Sequence, residues 1–532
     1  MADSLVRESA TYEDGSGRYR LSNEAKSYTQ QYSHVYAARL WMLKPGLVAR
    51  ARARWPSATV VDRIVSAASV EGEVAIVGTT FKEQTRPNVL DEYRSEVLHT
   101  EEDQEAPIAR YEAGADDAIA LEDESGRLQL RGKVAVARMV TGVTVAVRGT
   151  LTAKGELEVR EMLGPGFLPP ATTRPATTNT KKRVLLLSDL LGQRTFDAKF
   201  ALLCDWLNGS LGGDSGGSGD SGDSAARSVV RCFVAGDVGG DLSEAFALSQ
   251  QLPRSKAGLK ASSSSHNARD DDGRQGAAAQ GSSSSSSFSS ESQQLCALRD
   301  SDVAIARLCA MVPVDVVPGE SDPTNASLPQ QPVHPLLTPH AARYSTFVAA
   351  TNPHECTVDG HLVCGHAGQP VKDILKHADY EESSLKEEEE DPLASKDARR
   401  FFGHAGDPPD PDCLCVQRAG DGPDDSFLAA LEDTLYWRHL APTAPDSLPA
   451  YPHRETDPFV LEDVAPRLLF AGGAPHFATS LATNKDHILT RIVALPSFAN
   501  TGIAVLVDLE TLNVDQLQFN PDHHQLQHHQ AA

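Results

Sequence analysis

The sequence predicts two folded units of different class, a small closed β-barrel followed by a mixed α/β sandwich. Three observations carry this. The chain has 532 residues, more than one hydrophobic core organises, so two or more domains are expected. Residues 59–168 alternate β-branched and polar side chains, the pattern of half-buried strands. From Arg183 onward, short continuous apolar runs alternate with helical periodicity, as in a sheet covered on both faces.

The elements follow in order. Residues 1–17 are polar and are expected to be disordered. Residues 18–58 are assigned to helices associated with the barrel, because Tyr28, Tyr32, Val35, Tyr36, Leu40 and Leu43 recur at spacings of three and four. Pro45-Gly46 is expected to end that helix, and LVARARARW to form a second one. Arg50, Arg52 and Arg54 read as a solvated helix face rather than a phosphate-binding patch.

Over 59–168, VEGEVAIVGTTFK, LQLRGKVAV and TVAVRGTLTAKGELEVREM read as strands, with a hairpin at Ala153-Lys154-Gly155-Glu156. Five or so strands with glycine bends suit an OB-fold. Residues 169–183, rich in Pro and Thr, are a linker.

The second domain is assigned to residues 184–513. Its strands are RVLLLSD, SVVRCFVAGD, VPVDVVPG, TFVAATNP, PRLLFAGG, RIVALPSF and GIAVLVDLE, and its helices are FDAKFALLCDWLNG, SQQLCALRDSDVAIARLCAM and SFLAALEDTLYW. Low-complexity insertions interrupt it near 209–226, 255–292 and 381–425. The His-rich tail, 514–532, is expected to be disordered and not to bind metal, because no rigid element orients its imidazoles.

The formal net charge of −24 argues against a chain that grips nucleic acid by itself, since such affinity comes mainly from neutralised phosphates. Eight scattered cysteines point to reduced thiols in the cytosol or nucleus. No run approaches the roughly 20 apolar residues a membrane helix needs. The N-terminus lacks the apolar core of a secretory signal, so the sequon Asn325-Ala326-Ser327 is expected to stay unmodified.

The strand ends carry remnants of a metal site. Binuclear phosphoesterases place ligands on loops after successive strands, in the order Asp-x-His, Gly-Asp, Gly-Asn-His-Asp, a lone His and Gly-His-x-His. Two metals roughly 4 Å apart need a bridging carboxylate and surrounding imidazoles to polarise one water. Here Asp189 is kept, but Leu191 fills the first His slot. Gly236-Asp237 keeps the bridging Asp. In Gly319-Glu320-Ser321-Asp322, Glu320 and Ser321 replace Asn and His. Gly472-Gly473-Ala474-Pro475 leaves Gly473 and Pro475 in the last two His slots. His439 is placed in the lone-His position, and His476 lies one residue past the lost motif. Carboxylates without imidazoles make a weak Mg²⁺ or Mn²⁺ site at best. Otherwise Asp189 and Asp237 cap turns at strand ends.

Two further motifs are weaker. His354, Cys356, His361, Cys364 and His366 lack the paired knuckles of a zinc site and fit a hairpin turning at Asp359-Gly360. Cys413-Leu414-Cys415 falls in a predicted loop. SKDARRFF, at 395–402, faintly resembles the sliding-clamp-binding box, with Ser395 and Ala398 in place of its Gln and aliphatic residue.

The segments SYTQQYSHVYAARL, LQLRGKVAVARMVTGVTVAVRG, VPVDVVPGESDPTNASLPQQPVHPLL and RHLAPTAPDSLPAYPHRETDPFVL together resemble the B-subunit family of DNA polymerase delta, over residues 18 to about 510 outside the insertions. The resemblance implies an OB-fold packed on a calcineurin-like phosphoesterase domain that has lost its metals. It implies no catalytic residue, no metal and no cofactor. The partners it implies are the C-terminal metal-binding domain of the catalytic subunit and the N-terminal region of the third subunit. The sliding clamp and DNA would be reached mainly through the complex, in the nucleus. The related archaeal polymerase small subunit keeps the ligands and is a 3′–5′ exonuclease. The alternative is therefore an active metal-dependent phosphodiesterase or exonuclease using Asp189, Asp237, Asp322 and His439. The proline-rich PTAPDSLPAYP reads either as a docking loop or as a cover for the sheet edge.

Overall fold

A computed structural model describes residues 7–22, 26–27, 29–84, 117–169, 181–191, 198–211, 225–237, 285–380, 415–420, 425–484, 487–521 and 525–531. SKDARRFF, Cys413, Tyr28 and most of the three insertions lie outside the described residues.

The barrel consists of strands Thr59–Val61, Glu73–Glu83, Ala118–Asp123, Gly126–Gly132, Thr144–Leu151 and Leu157–Leu163. The long strand Glu73–Glu83 closes it. Its first half pairs with Thr144–Leu151, and its second half pairs with Ala118–Asp123. Gly78 sits where the strand passes between these partners. A Cβ there would lie 2.7 Å from Leu121 Cγ and 2.8 Å from Glu122 O, which explains why this bend has no side chain.

The first helix runs unbroken from Ser33 to Arg54, with Pro45 inside it. The expected break at Pro45-Gly46 is thus corrected. Proline in a helix interior costs about 3 kcal/mol. Here the stripe Leu40, Leu43, Leu47 and Ala51 continues past it, buried on the barrel with Ala75, Val77 and Ala146. Each fully buried leucine returns about 2 kcal/mol, enough to offset the proline. The arginines of this helix are engaged in part. Arg54 pairs with Glu161 at 2.9 Å, and Arg50 packs over Gly166.

The α/β domain stacks two seven-stranded sheets. One runs Phe347–Ala349, Val314–Val317, Val229–Ala235, Arg183–Ser188, Ile503–Asp508, Val514–Asn520, Gln525–Ala531; its first four strands are parallel. The other runs Tyr12–Asp14, His354–Val358, His361–His366, Leu468–Ala474, His487–Pro496, Ala478–Asn484, Cys415–Gly420. Between them lies an apolar layer including Leu186, Phe233, Phe470, Val493 and Val505. Helices Ala198–Leu207 and Ser285–Cys309 cover the outer face of the first sheet. Helices Gln369–Leu375 and Ser426–Tyr436 cover that of the second. Their apolar cluster is continuous with the barrel interior, so barrel and sandwich share one core.

Both expected disordered ends are corrected within the described residues. Tyr12–Asp14 adds a strand beside His354–Val358. Arg231 stacks on the Tyr12 ring, and Tyr19 is fully buried. At the other end, Val514–Asn520 pairs with Ile503–Asp508, and Gln525–Ala531 extends that sheet. Val514, Leu517 and Phe519 are buried, and that burial fixes the strand although Gln and His dominate the composition around it.

Candidate functional site

The strand ends of the sandwich converge. Asp189 and Asp237 follow their strands in left-handed backbone, at φ 47° and 46°, as tight turns require. Asp189 N donates to Gly236 O at 3.1 Å, and Gly236 N donates to Val317 O at 2.8 Å. Gly319 packs on the second loop so closely that a Cβ would lie 2.4 Å from Asp237 N. The other sheet joins through Gly472. A Cβ there would lie 2.5 Å from Ala235 O and 2.7 Å from Ser188 Oγ. Ser188 Oγ donates to Ala235 O at 2.8 Å and accepts from Gly473 N at 3.0 Å.

Protein groups already occupy the carboxylates at this centre. Ser321 donates to Asp237 Oδ1 through both its backbone N–H, at 3.0 Å, and its hydroxyl. Asp189 accepts from the Ser497 hydroxyl. Asp322 is buried and accepts from Gly319 N at 2.7 Å, closing its own turn. Glu320 points to solvent. Leu191 lies in the apolar cluster with Leu187, Phe200 and Leu203, and Pro475 is exposed. Of the eight positions singled out by the motif, Asp237 and Ser321 thus meet directly, Asp322 closes the turn of the same loop, Asp189 and Gly473 touch the neighbouring loops, and Leu191, Glu320 and Pro475 turn away.

His439 is not at this centre. It lies beyond helix Ser426–Tyr436, buried, with Nε2 2.9 Å from Asp457 Oδ2. Burial and the nearby Arg39 push its imidazole down to about 4. The histidine at a converging strand end is His366, whose strand runs parallel to Leu468–Ala474. Its Nδ1 faces Gly368 N at 3.1 Å, and burial lowers it to about 4. Sequence reasoning read His366 only as part of a hairpin. It passed over Ser188, whose one signal was its place immediately before Asp189.

The hairpin of His354–Val358 and His361–His366 turns through Asp359 and Gly360, at φ 50° and 84°. Cys356 joins the layer between the sheets, whereas Cys364 joins the core shared with the barrel. Opposite faces of one sheet cannot serve one ion. Burial raises both thiols, Cys364 to about 12.

Among the described residues, one group of three ligand-type atoms lies within 4.8 Å, that of Asp315, His354 and Cys356. Arg231 already grips Asp315 with two bonds, at 2.9 and 2.6 Å. His354 bridges Asp315, at 3.2 Å, to the Ser16 hydroxyl, at 2.7 Å. The order Ser–His–Asp resembles a nucleophilic triad, but Ser16 is wholly buried and its hydroxyl also donates to Glu355 O at 3.0 Å. A nucleophile needs access to substrate. This cluster instead clasps the N-terminal segment to the sheet.

Residues 31–162 match the family described as DNA polymerase delta subunit OB-fold domain, and residues 272–479 match that of the DNA polymerase alpha/epsilon B-subunit. The chain is 30% identical to the DNA polymerase delta small subunit of Oryza sativa subsp. japonica, across 97% of this chain and 99% of that protein. The chain belongs to the DNA polymerase delta small-subunit family. The DNA polymerase delta subunit 2 of Drosophila melanogaster is also 30% identical, across 96% of this chain and 98% of its own length. The DNA polymerase delta small subunit of Arabidopsis thaliana is 30% identical across 97% and 96%. The delta family's OB match falls on the barrel and its leading helix. The alpha/epsilon match spans the third converging loop, the His366 hairpin and the Gly472 turn. The polymerase delta small-subunit architecture is therefore carried by both units described above.

Proposed function

We propose that this chain is a non-catalytic scaffold of nuclear DNA polymerase delta, active in replication and repair synthesis. In this reading it holds the C-terminal domain of the catalytic subunit and the third subunit, and it meets DNA and the sliding clamp mainly through the complex. The relatives are named as small subunits of that polymerase. The observation that carries the non-catalytic part is the Ser321–Asp237 contact. Where a phosphoesterase needs an imidazole and an open carboxylate, a serine donates twice to the bridging position. The scaffold part is supported by the core shared between barrel and sandwich, which gives partners one rigid body to grip. The charge of −24 suits a chain whose partners hold the DNA. The test is co-expression with the C-terminal domain of a polymerase delta catalytic subunit, followed by gel filtration. Co-elution at micromolar concentration is expected, and separate elution defeats the scaffold reading. The rival reading, a metal-dependent phosphodiesterase or 3′–5′ exonuclease, draws on Asp189, Asp237 and Asp322 lying on neighbouring loops; nuclease assay with Mn²⁺ separates the two.

A further inference from the structure

The first helix buries one face on the barrel and leaves the other beside a groove of about 980 Å³. The groove runs between this helix, the Thr79–Phe81 end of the long barrel strand, the Asp123–Glu124 turn and the segment from Asp446 to Glu455. Trp41 and Phe81 line it, with Leu40 at its base. Trp41 is 76% exposed, whereas the chain's other three tryptophans, Trp55, Trp206 and Trp437, are at most 2% exposed. An uncovered indole on an ordered helix marks a contact surface more than a fold element.

The charge around the groove is one-sided. Six carboxylates line it against Lys44, Arg454 and His34, and one of the six, Glu122, is paired with Arg127, whose guanidinium lies 4.1 Å over the Phe81 ring. Lys44 is engaged by Asp62 at 3.2 Å. Glu124 is more than half exposed and only loosely met by Arg63, at 3.6 Å. Such a rim repels phosphate and attracts ammonium and guanidinium groups. From Ser33 to Lys44 the helix offers a wall of about 16 Å, or three helical turns.

We propose that this groove docks a basic amphipathic helix of another polypeptide in the polymerase assembly. Its apolar side chains cover Trp41, and its Lys or Arg side chains meet the carboxylate rim, with the indole face as an added cation site. The proposal deepens the scaffold reading by naming the chemistry of one partner contact. It rests on that reading only for where the partner comes from.

The full-length chain is titrated with a synthetic helical peptide of Leu and Lys, Leu repeating at spacings of three and four. A matched Leu/Glu peptide and a scrambled Leu/Lys peptide are the controls. Expected is binding of the first alone, with a blue shift of the Trp41 emission and protection from acrylamide. Trp41→Ala, or Glu124→Lys combined with Asp446→Lys, should weaken binding about tenfold or more. Unchanged melting curves for Trp41→Ala exclude misfolding, as the side chain is exposed. Glu510→Lys, an exposed reversal on the far sheet, should leave binding unchanged. Equal loss with Glu510→Lys, or binding without a Trp41 shift, overturns the proposal.

In the co-expressed complex, a photo-crosslinker replacing Trp41 should map to a basic amphipathic segment of another chain. A crosslink within this chain or to a second copy, or none at all, overturns it. If the wild-type complex does not form, the scaffold reading falls while the peptide titration still decides the groove.

Discussion

Arg39 Nε lies 2.7 Å from Asp457 Oδ2, and both side chains are fully buried. The same guanidinium donates to Gly142 O at 2.8 Å in the barrel, and to Pro442 O at 2.7 Å and Ala444 O at 2.6 Å in the sandwich. One side chain on the first helix therefore bolts both units together, and it holds the start of the proline-rich segment PTAPDSLPAYP in place. Removing one partner of a buried, hydrogen-bonded ion pair costs about 3–5 kcal/mol, because the other charge stays buried. Arg39→Ala should lose that much in urea denaturation. Arg39→Lys should not restore it, since an ammonium cannot reproduce the guanidinium fork. A loss below about 1 kcal/mol, the scale of an exposed pair, would mean the junction is held otherwise.

The buried imidazoles set an acid limit. Burial holds His366 and His439 down at about 4, with Arg39 adding to the effect at His439. An unfolded histidine takes up its proton near 6.5, so between about pH 6.5 and 4 the unfolded chain binds more protons than the folded one. Stability from these groups is full above that window and drains as pH falls through it. Burial would raise the Asp457 carboxyl, but Arg39 and His439 outweigh it and hold the group well below the usual carboxylate range. Its contribution persists to lower pH and is lost only after the histidines charge. Denaturation midpoints from pH 7.5 to 4 should fall steeply, and His366→Gln should flatten the slope by close to one proton. An unchanged slope in that variant contradicts the assignment.

The barrel and the alternating apolar strands were legible because they rest on local periodicity. Residues such as Val145 and Val147 announce their face by spacing of two. The unbroken first helix was not legible, because Leu47 and Ala51 hold it only through the barrel surface they meet. The motif located Asp189, Asp237 and Ser321 on neighbouring loops, since loop position follows strand order. It misplaced His439. A lone histidine carries no spacing, and His439 and His366 differ only in which partners they reach, Asp457 or the Gly368 backbone N–H. The N-terminal strand was missed because Tyr12 and Ser16 sit among charged residues, and only tertiary contacts hold them, Tyr12 with Arg231 and the layer between the sheets, Ser16 with His354 and Glu355.

That N-terminal clasp makes its own prediction. Ser16 accepts from Glu355 N at 3.0 Å while facing His354, and Arg18 pairs with Glu355 at 2.6 Å. Ser16→Ala leaves His354 Nδ1 buried without its partner, a loss of about 1–3 kcal/mol. The loss should be local, freeing the segment around Tyr12 to Tyr19. Hydrogen exchange should rise at Asp14 to Arg20 and across the neighbouring strand His354–Val358, which loses its edge partner, with the barrel unchanged. Uniform exchange rates would show that the segment is held by Tyr19 burial instead.

At the candidate centre, the decisive comparison is between restoring a ligand and disturbing the packing. Ser321→His returns an imidazole to the third loop, but it removes the hydroxyl bond to Asp237 and leaves Leu191 in its apolar cluster, Gly473 without a side chain and Pro475 facing solvent. A two-metal site needs a complete first shell. Neither wild type nor Ser321→His should therefore degrade single-stranded DNA with Mn²⁺. Turnover by the wild type that disappears in Asp237→Ala would establish the nuclease reading instead. Gly319→Ala, by contrast, drives a Cβ to 2.5 Å from Asp237 Oδ1. Overpacking of this kind costs about 1–3 kcal/mol. Gly319→Ala should lower the melting temperature and weaken partner co-elution together, because the added methyl group pushes on the packed loop around Asp237.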